Sequence, residues 1–241
     1  MTNLLDIAAV SGGYGQINVL RELSISVGEG RSVGLLGPNG HGKTTLLRTI
    51  SGLQRASAGS IAFRGVDITR MSVRGIIDRG IVHIPQGCRL FPQLTVRENL
   101  VLGAYNPRAR KAGVEDTLEQ VYSLFPKLAQ RSRQWGSTLS GGERQMVAIG
   151  MGLMAKPTLL LLDEPTLGLS PKVKEELLER IAEVRKSGVS LLLVDGDVDF
   201  VMSLTDDYYV IELGAVVRAA ESSAEVERTE MMDLYFGRDD D

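Results

Sequence analysis

Hydrophobic positions along this chain fall into two kinds of pattern. Short unbroken apolar runs at residues 32–36, 157–162 and 189–194 are bounded by glycine, proline or charge. That is the signature of strands buried on both faces of a parallel sheet. Between such runs lie helical spacings. Residues 45–50 read as one helix, and Val173, Leu177, Ile181 and Val184 recur along one face of another. Ser170-Pro171 supplies that second helix with an N-cap and a proline at its first position, and Gly188 ends it. Strands alternating with helices from residue 157 onward predict crossover connections.

Two other regions carry different patterns. Residues 4–10 and 20–27 are strand-like, separated by Gly12-Gly13 and followed by a Gly28-Glu29-Gly30 turn. They predict an antiparallel β-element covering the core, with residues 60–63 belonging to it. The stretch from about 86 to 152 is helical in character. Thr95-Val96-Arg97-Glu98 has the form of a capping box opening a helix over 96–103, and residues 114–124 have helical spacing before Phe125-Pro126. The predicted fold class is α/β, with a mixed, largely parallel sheet core from about 4–85 and 157–237. An N-terminal antiparallel element and a helical subdomain over about 86–156 complete it, and residues 238–241 form a solvated acidic tail.

The loop after the first buried run carries chemistry. Gly37-Pro38-Asn39-Gly40-His41-Gly42-Lys43-Thr44 satisfies G-x-x-x-x-G-K-[ST] in the strand, loop, helix order that motif requires. The glycines let backbone N–H groups surround phosphate oxygens at a helix N-terminus. Lys43 would reach the β- and γ-phosphates, and the Thr44 hydroxyl would bind Mg²⁺. His41 occupies a free position of the loop and is expected to point outward.

A second phosphate-binding candidate is Leu139-Ser140-Gly141-Gly142-Glu143. Its S-x-x-E form also makes an ordinary helix cap. The run at 157–162 then ends in Asp163-Glu164-Pro165. An acidic residue at the C-terminal end of a strand beside a phosphate loop is placed to hold Mg²⁺, the role assigned to Asp163. Glu164 is suited to orient or deprotonate a water attacking the γ-phosphorus.

In this order the motifs resemble those of the ABC ATPase family, the nucleotide-hydrolysing subunits of ATP-binding-cassette transporters, over nearly the whole chain. The resemblance implies a P-loop NTPase fold with ATP and Mg²⁺ as cofactors. It makes Gly37 to Thr45 the Walker A segment and Gln86 the Q-loop residue that also approaches the metal. Residues 139–143 become the signature, 159–164 Walker B, and Gly168-Leu169-Ser170-Pro171 the D-loop. Tyr14 is similar to the aromatic that stacks on adenine; an ordinary packed aromatic is the other reading of that residue. In this family two cassettes join head to tail, so Ser140, Gly141, Gly142 and Glu143 are implied to act in trans on a nucleotide held by a second cassette.

One position departs from the family pattern. After the strand at 189–194, where most relatives carry a switch histidine or glutamine facing the γ-phosphate, this chain reads Asp195-Gly196-Asp197. Neither aspartate is expected to substitute, because a carboxylate there adds like-charge repulsion. Gly196 therefore predicts a slow site on this chain's own Walker A and a more active one served by its signature. That asymmetry implies a non-identical partner ATPase, a homodimer being the other arrangement.

Composition narrows the setting. A net charge of −3 gives no electrostatic reason to expect nucleic acid, and the Arg131 and Arg133 cluster reads as a solvated face. The single Cys88 excludes an internal disulfide and suits a reducing compartment. No apolar run approaches the roughly 20 residues of a membrane span, and no signal peptide is evident. The run 91–100, the D-loop segment and the ending 234–237 are similar to the second ATPase of branched-chain amino acid importers, whose relatives also serve urea and amides. That likeness implies a peripheral subunit on the cytoplasmic face of the membrane. Two transmembrane permease subunits would be its partners, met through the region after Gln86, with a periplasmic solute-binding protein acting indirectly. A nucleotide-gated regulatory subunit with little hydrolysis of its own remains the alternative.

Overall fold

The computed structural model describes residues 3–87 and 89–221. Cys88 and the ending at 234–241 lie outside them. In chain order the strands and helices begin with β1 (Asn3–Tyr14), β2 (Ile17–Gly28), β3 (Ser32–Leu36), α1 (Lys43–Ile50), β4 (Ala56–Phe63), β5 (Val66–Asp67), α2 (Val73–Arg79) and β6 (Ile81–Ile84). Helices α3 (Val96–Leu102), α4 (Pro107–Ala112), α5 (Val114–Leu124), α6 (Pro126–Gln130) and α7 (Gly141–Met154) follow, with a 3-10 turn at Gly136–Thr138. The chain then alternates through β7 (Leu159–Asp163), α8 (Pro171–Lys186), β8 (Ser190–Val194), α9 (Val198–Leu204), β9 (Asp207–Glu212) and β10 (Ala215–Glu221).

A six-stranded sheet in the order β10-β9-β3-β8-β7-β6 forms the centre, parallel throughout except at β10. Every residue of β3, β7 and β8 is buried. Their near-continuous apolar sequence is required because each face of the sheet covers a different core. Leu159, Leu161, Leu192 and Val194 pack with Leu46, Leu47 and Ile50 of α1 and with the second sheet. Leu160, Leu162, Leu191 and Leu193 turn the other way, toward α7, α8 and α9. The period-2 alternation of a strand is thus present within the leucine runs, with both sets of side chains in apolar surroundings.

The second sheet is antiparallel, in the order β2-β1-β4-β5. The Gly12-Gly13 pair does not separate two strands, as its sequence suggested. Both glycines lie inside β1 at shifts of register, and the hairpin turn comes later, at Gly15-Gln16. A side chain at Gly13 would collide with the Ile17 carbonyl, so the glycine marks a close backbone approach rather than a turn. The consequence is that β1 continues as far as Tyr14.

Over residues 96–154 all the regular elements are helical. Helix α3 begins with the expected capping box: the Thr95 hydroxyl accepts the Glu98 N–H, and the Glu98 carboxylate accepts the Thr95 N–H at 2.8 Å. Ser170 precedes Pro171 at the start of α8, but its side chain makes no cap hydrogen bond. Elements β5, α2, β6, α4, α6, α9, β9 and β10 are additional to those the sequence pattern predicted.

Leu161 is fully buried in a central strand. Replacing it by alanine should lower the unfolding free energy by about 2–5 kcal/mol. Leu53→Ser, at a residue 58% exposed, should change it by less than about 0.5 kcal/mol. Urea denaturation of the two variants checks both values.

Candidate nucleotide site

The site is built where β3, β7 and β8 end. After Leu36 the chain enters a loop in which Gly37 takes φ +129° and Gly42 φ +105°, both in the left-handed half of backbone space. Gly42 is also the N-cap residue of α1, with no side-chain cap, and the first turn of α1 carries no acidic residue. The N–H groups at that helix start and their partial positive charge are left for an anion. They border an open cavity of about 130 Å³ lined by Asn39, Gly40, Gly42, Lys43, Thr44, Thr45 and Glu164.

Lys43 is buried and folds back over its own loop, its Nζ donating to the carbonyls of Gly37 at 2.5 Å and Pro38 at 2.9 Å. Burial pushes its ammonium below the usual lysine range, against the opposing pull of Glu164 and Asp163. Thr45 is buried beneath the loop, and its carbonyl accepts from the Thr49 hydroxyl. His41 does not simply point outward. Its Nδ1 accepts the Leu213 N–H at 3.3 Å and its carbonyl accepts the Gly214 N–H at 3.1 Å, so it ties the loop to the β9–β10 turn.

Thr44, Gln86, Asp163 and Glu164 meet as a cluster. The Thr44 hydroxyl donates to Asp163 at 2.9 Å, and the Gln86 amide donates to Glu164 at 2.8 Å across 78 residues of sequence. Burial raises the Asp163 carboxyl above its ordinary range, with Thr44, Arg48, Lys43 and the Gln86 backbone pulling it down. Burial also raises Glu164, helped by the charges of Asp163 and Asp195 and opposed by Lys43. Glu164 has φ +48°, and its N–H donates to Val194 at 2.8 Å.

The donors suit Mg²⁺. The Thr44 hydroxyl, Asp163 carboxylate and Gln86 amide all offer hard oxygen atoms within one hydrogen-bonded group. Among the described residues no cluster of three or more His, Cys, Asp or Glu exists, so an ion held here would complete its shell with phosphate oxygens and water.

The remaining predicted residues lie around this cluster or apart from it. Tyr14 is 43% exposed, and its hydroxyl accepts from Arg48 of α1 at 3.1 Å, which places the end of β1 beside the phosphate-loop helix. Ser140 caps α7: its oxygen accepts the Glu143 N–H at 3.3 Å while Glu143 accepts the Ser140 N–H at 2.9 Å. The Glu143 carboxylate also takes a hydrogen bond from the Ser140 side chain, so a phosphate would have to draw the hydroxyl proton away from it. A side chain at Gly142 would collide with Val173 of α8, whereas Gly141 has open space above it. None of these four residues lines the phosphate-loop cavity.

Around Gly196 both aspartates are engaged elsewhere. Asp195 is buried and accepts from the Thr166 N–H at 2.9 Å, the Thr166 hydroxyl at 2.7 Å and the Asp197 N–H at 2.9 Å. Asp197 caps α9 through the Phe200 N–H at 3.2 Å and pairs with Lys174 at 2.7 Å. A Cβ built on Gly196 meets nothing within 4 Å, so packing does not demand glycine there. The Thr166–Asp195 clamp was missed in the sequence, although a threonine two residues after Glu164 and an acid directly after a strand were its signals. Arg131 and Arg133 are both exposed, as expected of a solvated face. Arg131 in addition pairs with Glu143 at 2.9 Å.

Known proteins resemble this chain over nearly its whole length. The "ABC transporter" family model matches residues 20–167. The high-affinity branched-chain amino acid transport ATP-binding protein BraG of Pseudomonas aeruginosa is 39% identical over 97% of this chain and 100% of its own length. A probable branched-chain amino acid transport ATP-binding protein, LivF, of Archaeoglobus fulgidus is 32% identical over 97% of this chain and 99% of its own. The ADP conformation of MJ1267, an ATP-binding cassette of an ABC transporter, superimposes with a TM-score of 0.86 at 25% identity, covering 98% of this chain and 100% of that one. With relatives matched end to end and the family model spanning both phosphate-binding segments, the chain belongs to the ABC transporter family as one of its ATP-binding subunits.

Proposed function

We propose that this chain hydrolyses ATP to drive an importer of branched-chain amino acids, working with a second, non-identical cassette and two permease subunits at the cytoplasmic face of the membrane. The observation that carries the reading is the Thr44, Asp163, Glu164 and Gln86 cluster against the phosphate-loop cavity. The solute class rests on the full-length likeness to BraG and LivF. A solute-binding protein would meet the permeases and not this chain.

On nucleotide entry Lys43 exchanges the Gly37 and Pro38 carbonyls for β- and γ-phosphate oxygens, and the N–H groups of the loop surround the phosphates. Tyr14 stacks on the base. Thr44, Asp163 and the side-chain carbonyl of Gln86 would hold Mg²⁺, which would neutralise charge on the β- and γ-phosphates. Glu164, its carboxyl raised by burial, orients the water and takes its proton. Gln86, bonded to Glu164, lies just after β6. An apolar cavity of about 220 Å³ lies beside it, lined by Pro85, Arg89, Leu102, Tyr105 and Met151 among others, and suits a permease helix.

A second reading, a regulatory subunit with little hydrolysis, is favoured by Gly196 alone. No side chain there reaches the γ-phosphate, so turnover at this chain's Walker A is slow, and the partner site served by Ser140 carries most of the flux.

Three outcomes follow. Glu164→Gln should lower phosphate release from this chain's site by about 100-fold or more while nucleotide binding persists; equal loss of binding would contradict the role of Glu164. Gly196→His should raise turnover about threefold or more with an unchanged melting temperature, since the position has room. In the complex with the partner ATPase, Lys43→Ala here should cost less than about tenfold, whereas the equivalent change in the partner silences transport. Equal silencing by both would remove the asymmetry.

A further inference from the structure

Glu143 poses an electrostatic problem for the signature. Its carboxylate completes the α7 cap by accepting the Ser140 N–H at 2.9 Å, but it also sets a negative charge beside the serine meant to receive a phosphate. A glutamate there is ionised: although burial opposes the charge, hydrogen bonds from Ser140 and the positive charges of Arg131 and Lys127 hold it below the usual carboxylate range. An approaching γ-phosphate would be repelled unless that charge were cancelled.

Arg131 is placed to cancel it. Its Nε lies 2.9 Å from the second carboxylate oxygen of Glu143. Its Nη1 donates at 2.9 Å to Gln134, and Gln134 in turn donates at 2.9 Å to the Thr138 hydroxyl. One guanidinium therefore neutralises the cap and fastens the turn that leads into Ser140. Arg144 adds a further tie, donating to the Leu139 carbonyl at 3.0 Å. The Arg131 side chain is 44% exposed and that of Glu143 only 16%, so the arginine stands on the rim and the carboxylate inside it.

We propose that Arg131 is a positioning residue for phosphate binding in trans. By neutralising Glu143 and ordering residues 131–138, it allows Ser140 and Gly141 to accept the γ-phosphate of a nucleotide held by the second cassette. The inference rests on the in-trans reading of the signature. It goes beyond it by making the affinity of the second cassette for ATP depend on a charge balance in this chain.

The test uses the complex purified through an affinity tag on this full-length chain, with ATPase activity measured against ATP concentration. Arg131→Ala should raise the KM for ATP about tenfold with kcat changed less than about threefold, because repulsion acts on phosphate binding. Adding Glu143→Gln in the same chain should return the KM to within about threefold of the unaltered complex, since the amide keeps the Ser140 N–H bond and removes the charge. A purely structural role for Arg131 would not be rescued by that second change. An unaltered KM in Arg131→Ala, or a double variant as impaired as the single, overturns the proposal. Ser140→Arg run in parallel separates the two levels. If it leaves turnover intact, the in-trans reading falls and this inference with it; if it silences the complex while Arg131→Ala is normal, only this inference falls.

Discussion

Complete burial of β3, β7 and β8 on both faces is the constraint from which the site follows. No side chain within these strands reaches solvent, so polar chemistry can leave the sheet only at the strand ends. Because the three strands are parallel and adjacent, those ends emerge together. The phosphate loop follows β3, Asp163 closes β7 with Glu164 directly after it, and Asp195 and Gly196 follow β8. The loops are also knitted to one another: Glu164 donates its N–H to Val194, and Thr166 donates twice to Asp195. A non-glycine residue at φ +48° costs on the order of 1 kcal/mol or more and persists only where its surroundings dictate it. Here the bonds on either side of Glu164, at 164 and 166, supply that restraint.

Legibility in the sequence followed locality. The phosphate loop was readable because its strand, glycines, lysine and helix are contiguous, and the α3 and α7 caps because each spans four residues. The apolar runs marked β3, β7 and β8, but their two-sided alternation was invisible, since both faces are leucine. Strands β6, β9 and β10 escaped notice. Residues 81–84 include a histidine, and 207–212 mix acids with two tyrosines, so their place is fixed by neighbouring strands more than by their own pattern. Gly12-Gly13 misled for the same reason: β1 is paired on both sides, by β2 and β4, and tertiary pairing turned an apparent break into an irregularity within a strand. The Gln86–Glu164 contact spans 78 residues, and no local pattern encodes it.

The two readings of Ser140, helix cap and phosphate ligand, draw on different parts of one hydroxyl. A hydroxyl has acceptor lone pairs and one donor proton; the cap takes a lone pair, and a phosphate oxygen would take the proton from the Glu143 carboxylate beside it. The same economy operates at the start of α8. Val173 fills the space above Gly142, so no larger residue fits in the signature there, and the next residue, Lys174, pairs with Asp197 one position beyond Gly196. Adjacent residues of one helix thus touch the segment that would serve the second cassette's nucleotide and the loop that would face this chain's own. Packed side chains have discrete arrangements and little slack. A displacement of the start of α8 would therefore act on both segments, through the Val173 contact at Gly142 and the Lys174–Asp197 pair.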